Sequence, residues 1–195
     1  MRLFKQAMAI LGFLGTLGTV AIPDAVHAAT VLKVDVAESA RLSQWVVRAR
    51  VLSLTTVDQR ALGDSIYTDV TLQIDAVYRG GAGAPAPKTL VMRLMGGVAA
   101  DGLALTVPGM PKVEVGEQAV FFLEPTGKGL VPCGLEQGVW RIAPSVTGVP
   151  VVWRQLGNLS LMEKAADGKL VPSGPSQPAG VKLLAELERE IRAAR

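Results

Sequence analysis

The side chains that ordinarily do chemistry are scarce in this chain. Its only histidine is His27 and its only cysteine is Cys133. The usual general base and the commonest metal ligand therefore occur once, close to the start. A cysteine nucleophile needs a neighbouring base to activate it. Cys133, in GLVPCGLEQG, has none nearby in sequence. It reads as a small buried apolar residue, with intermolecular pairing or redox sensitivity as the alternatives.

Paired carboxylates are the next chemistry to weigh. Asp69 and Asp75 fall on one face of an alternating stretch, but six residues of strand put them ~20 Å apart. A glycosidase pair needs roughly 5 to 9.5 Å. They read instead as a solvated face opposite Arg48, Arg50 or Arg93. Glu114 and Glu117 flank Gly116, and a carboxylate there is expected to bond its own turn. No S-x-x-K pattern occurs, and the glycine runs RGGAG and MGGV lack the lysine of a phosphate-binding loop. Trp45, Trp140, Trp153 and Tyr67 are the aromatics a base-stacking surface requires; their expected role is core packing. The chain is thus expected to be no enzyme and to hold no cofactor and no metal.

The elements that position these residues begin after a leader. Arg2 and Lys5 precede an apolar, glycine-broken run, Met8 to Ile22, followed by PDAVHA. That is the layout of a secretory signal peptide cleaved after Ala28. The run is short for a membrane span of about 20 residues, and no cysteine near the cut offers a lipid anchor. The expectation is a periplasmic or secreted protein with no membrane insertion after cleavage. Of 20 basic and 17 acidic residues the leader holds two and one (Arg2, Lys5 and Asp24), so the remainder carries +2. So mild a charge predicts no nucleic-acid partner.

Residues 34–44 predict a short helix capped by Asp35, with Glu38 at the capping-box spacing. Strands are predicted over 45–54, 65–80, 89–95, 117–125 and 138–142. The second alternates from Ile66 through Val70, Leu72, Ile74 and Ala76 to Tyr78. Within the fourth, Val120, Phe121, Phe122 and Leu123 run without interruption, which predicts cover on both faces. A return strand through Trp153 and a small hairpin about Asp167 and Gly168 follow. After a linker at 173–180, residues 181–195 predict a helix with Val181, Leu184, Leu187 and Ile191 on one stripe. Lys182 with Glu186 and Glu188 with Arg192 have i,i+4 spacing.

Five strands on one core predict a mainly β fold: a small five-stranded OB-like Greek-key barrel over residues 29–172. It carries a short N-terminal helix, an extra C-terminal hairpin and a C-terminal helix beside it. The connection from Val98 to Gly116 is long for a compact domain, and such connections are often functional. Asp101, Pro108, Met110, Pro111 and Glu114 are its candidate interaction residues.

The order of AESARLSQWVVRARVLSL, IYTDVTLQIDAVYRG, MRLMGG, PGMPKVEVGEQAVFFL and GLEQGVWRI resembles a group of exported bacterial proteins of unassigned function. The match covers roughly residues 36 to 143. In outline these proteins are similar to the OB-type barrel of netrin modules and of tissue inhibitors of metalloproteinases. The resemblance implies a non-enzymatic binding or interaction module that modulates a secreted protein such as a protease. Its partner would be an exported protein or a glycan. An accessory envelope protein without a small ligand is the alternative. The inhibitors act through an N-terminal cysteine that chelates the catalytic zinc; the expected first residue here is Ala29, so that mechanism does not carry over.

Overall fold

Strand formation follows the alternation and the β-branched content of the chain. The computed structural model describes residues 29–80, 86–173 and 180–194. The expected leader, and all but the ends of the expected linker, lie outside them. The elements are β1 (Ala29–Leu32), α1 (Val36–Leu42), β2 (Trp45–Asp58), β3 (Ile66–Arg79), β4 (Thr89–Met95), β5 (Gly97–Val98) and β6 (Ala104–Leu105). They continue with β7 (Gln118–Thr126), β8 (Gly129–Pro132), β9 (Val139–Pro144), β10 (Pro150–Trp153), β11 (Leu159–Lys164), β12 (Leu170–Pro172), β13 (Lys182–Leu183) and α2 (Leu184–Ala193).

The described fold is mainly β, and its centre is a partly closed ring. β2, β3, β4 and β8 are neighbours in that order, β8 pairs with β7, and β7 pairs back to β2. All of these seams are antiparallel except β4–β8, which is parallel and joined at a single register position, Met92 with Leu130. The fifth ring strand was expected at 138–142. It is Gly129–Pro132 instead. A tight turn at Thr126–Gly129 sends the chain straight back along the second half of β7, and four residues suffice to reach β4. β9 takes the same edge of β7 further on, beside Ala119–Phe121, and leads outward to β10 and β13.

The alternation of β3 is also interrupted. Arg48 pairs with Ala76 and Ala49 with Ile74, so Asp75 is an extra, bulged residue. A bulge shifts the side-chain phase by one. Val70, Leu72 and Ile74 consequently face the ring interior, whereas Ala76 and Tyr78 face outward against the helices. The single face read from Ile66 to Tyr78 is in fact two.

Two cores share β7. Ala119, Phe121 and Leu123 fill the ring interior with Val47, Val70, Leu72 and Met92. Val120 and Phe122 fill an outer core with Trp140, Cys133 and the α2 residues Leu184, Leu187 and Ile191. The expected two-sided cover of this strand is observed. In α1, Asp35 Oδ1 accepts from the Glu38 N–H at 2.7 Å, the expected cap. The stripe on α2 is buried from Leu184 onward, while Val181 precedes the helix and is exposed. A third, small cluster joins β1 and β11 through Val31, Leu159 and Leu161, and β11 pairs with β12 in the expected hairpin.

Candidate functional site

The long connection folds over one end of the ring. Its first part forms the β5–β6 ribbon, and its tip is tied down by Asp101, which accepts from Arg60 at 2.8 Å and from the Leu103 N–H at 3.1 Å. Arg60 also holds Asp58, so the connection is clamped to the β2–β3 turn. Gly109 then adopts φ +77°, and a Cβ there would lie 2.4 Å from a Leu159 methyl. The tight turn this permits drives Met110 and Val113 into the ring-interior core and buries Pro111. Asp101, Pro108 and Glu114 are exposed; Met110 is half-buried and Pro111 buried. The five candidate residues therefore do not form one surface. Two of them seal the ring.

Beneath the end of this connection lies Arg141 on β9, buried. Its guanidinium bonds Glu136, donates to the Lys112 carbonyl at 2.8 Å and stands 3.0 Å from a Glu117 oxygen. That Glu117 oxygen is outside hydrogen-bonding geometry, so charge attraction alone acts there. Burial holds the Glu136 carboxyl above its ordinary range, against the opposing pull of Arg141. Glu117 also accepts from the Glu114 N–H at 3.0 Å, the expected turn contact.

A separate concave surface, mostly apolar with a few polar groups, lies on the outer side of the β4–β8 seam. With one register pair between these strands, Arg93 and Met95 on β4 and Val131 and Pro132 on β8 flank a groove of about 370 Å³. Met110 and Leu135 line it from the connection side, and Tyr67, Glu124, Thr126 and Lys128 complete the wall. A second cavity of about 290 Å³ adjoins it, sharing Met95 and Met110, and Lys112 is its only charged lining residue.

The groove's cations are already engaged. Arg93 donates to both oxygens of Asp69 at 2.6 and 2.7 Å, a bidentate pair. Its guanidinium also lies 5.4 Å from the centroid of the Tyr67 ring. Lys128 bonds Asp64, which accepts from the Tyr67 hydroxyl at 2.7 Å as well. Lys128 and Tyr67 together hold the Asp64 carboxyl below its ordinary range. Glu124 differs: it is half-buried, and among the described residues its carboxylate makes no hydrogen bond or ion pair.

Asp69 thus meets Arg93, one of its expected partners, whereas Asp75 accepts from Gln118 at 3.3 Å. Cys133 is buried, and burial pushes its thiol up to about 11. Trp140 is buried too, with the Arg154 guanidinium 4.4 Å and the Lys182 ammonium 4.8 Å from its ring centroid. Among the described residues no group of three or more His, Cys, Asp or Glu is arranged to hold a metal, and no helix is long and apolar enough to cross a membrane. Met95, Glu124 and Lys128 were not singled out by sequence. The available signal was local: a carboxylate ending the apolar run Ala119–Leu123, then a lysine in the TGKG turn.

The chain matches no protein-family model and no curated protein.

Proposed function

We propose that the protein is an exported, non-enzymatic binding module on an OB-type barrel, which engages another exported molecule through the β4–β8 groove. Modulation of a secreted protein such as a protease is the sharpest form of this reading, and it rests on likeness of fold alone. The strand order favours the barrel type: a β2–β3–β4 meander, then β7 returning to β2 and β8 lying parallel to β4. A five-stranded, partly open Greek-key barrel has this character. The single observation that carries the functional reading is the groove itself, an apolar concavity with a few convergent polar groups.

Deleting residues 98–115 is a poor test, because Met110 and Val113 belong to the ring-interior core, Pro111 is buried and the Lys112 carbonyl accepts from Arg141. Filling the groove by Met95→Trp is better, since Met95 is exposed. Wild-type protein, Met95→Trp and a control, Val146→Trp at a fully exposed site, are each used as bait on the exported fraction. A partner bound by wild type and control but lost with Met95→Trp is the expected result. The same partners on all three baits remove the groove from the reading. An accessory envelope protein without a small ligand is the alternative reading. Recovery of no partner by any bait favours it.

A further inference from the structure

We infer that the β4–β8 groove receives a basic side chain of a partner polypeptide, an alkyl stem ended by an ammonium or guanidinium group. This rests on the binding-module reading and names the chemistry of the same site.

Charge decides between ligand classes. Arg93, Lys128 and Glu124 line the groove, and the aspartates paired to the two cations, Asp69 and Asp64, stand outside its lining, so that three carboxylates in all face two cations. Both cations are bonded to an aspartate, which leaves Glu124 as the surplus charge. An anionic ligand must first draw Arg93 or Lys128 away from its aspartate, and Glu124 repels it. A neutral apolar ligand displaces water from a half-buried carboxylate and returns nothing to it, which carries a desolvation cost. A cationic head restores donors and opposite charge together.

The remaining wall suits the stem. Met95, Met110, Val131 and Leu135 are apolar, and thioethers adapt to a flexible chain. A lysine or arginine side chain lays its methylenes along such surface while its head stays at the polar rim.

The test uses the whole protein with methyl-labelled methionine, titrated with n-pentylammonium, n-pentanol and n-pentanoate in turn. Pentylammonium is expected to shift the Met95 and Met110 methyl signals at lower concentration than either other probe. Glu124→Gln is expected to weaken pentylammonium about fivefold, the upper range for a partly exposed ion pair, while leaving pentanol unchanged. Equal response to all three probes, or pentylammonium binding indifferent to Glu124→Gln, overturns the inference but keeps a groove that binds apolar groups. Silence of both methyls to every probe removes the groove reading as well.

Discussion

The sealed end of the ring and its open seam face the same charge problem and resolve it differently. At the sealed end one cation, Arg141, stands between Glu136 and Glu117. At the seam Arg93 and Lys128 stand among Asp69, Asp64 and Glu124. Each place holds one carboxylate more than it has cations. Under the connection Glu136 is buried and bonded to Arg141, and Glu117 accepts from the Glu114 N–H while its other oxygen stands 3.0 Å from Arg141. At the seam the surplus acid, Glu124, is left without a protein partner among the described residues. The difference follows from burial. A carboxylate shut away from water must be satisfied by the fold itself, whereas one at an open groove is kept in solution by water and remains available to a ligand. The lesson is that equal charge counts carry opposite functional meaning, and solvent access separates them.

Breaking the sealed end should cost most. Arg141→Met leaves the buried Glu136 without its cation, and Glu117 and the Lys112 carbonyl without theirs, and is expected to destabilise by about 3 to 5 kcal/mol, read from the urea midpoint. A shift under about 1 kcal/mol would show that water reaches this cluster and that the two regions do not differ. Phe122→Ala, which empties the outer core that β7 shares with α2, is expected to cost a similar 3 to 5 kcal/mol; an unmoved midpoint would show that β7 is not central.

Next in size is Gly138→Ala, beside the sealed cluster. The added methyl would lie 2.6 Å from the Cys133 carbonyl oxygen and 3.1 Å from that of Phe122, so backbone must move. A loss of about 1 to 3 kcal/mol is expected, and neutral behaviour would mean that the β8–β9 corner yields easily.

The pH dependence sharpens the contrast without a large free energy. Glu136 has its folded-state pKa raised above the ordinary value of 4.5, chiefly by burial. Between that value and the raised one the folded chain binds more protons than the unfolded chain, so this group's contribution to stability falls as pH rises through the window and is level above it. Glu136→Gln should flatten that part of the profile, and unchanged curvature in stability between wild type and variant counts against the burial argument.

The smallest effect on stability belongs to the seam. Asp69→Asn removes half of a partly exposed pair and should cost no more than about 1 kcal/mol. It also frees Arg93, bringing the groove's carboxylates level with its cations, so pentylammonium should bind more weakly than to wild type. Tighter binding in that variant would break the charge account of the groove.

Much of the scaffold was legible in the chain. The Asp35 cap, the Glu188–Arg192 pair at 3.4 Å and the two-sided burial of Val120–Leu123 are local or periodic, so spacing reveals them. The ring-closing strand was not legible: in four residues, GLVP, a period of two has no room to show itself. Nor was the Asp75 bulge, since Ala76 and Tyr78 keep the alternation in sequence while the pairing with β2 changes its phase. Lys182 was expected to meet Glu186 but bonds Glu190 at 2.8 Å, because it sits in β13 before the helix begins. Glu186 instead accepts from the Leu183 N–H.

By itself the amino-acid order determined the two helices and the long strands, which strand lies between two apolar layers, and that one histidine and one cysteine are all the chain holds of those two types. Only the tertiary structure decided which strand closes the ring, which way the long connection turns its methionine and proline, and which carboxylate stays unmatched. Those outcomes depend on contacts between residues far apart in sequence. Whether a charge is neutralised is a property of the neighbours that folding brings to it.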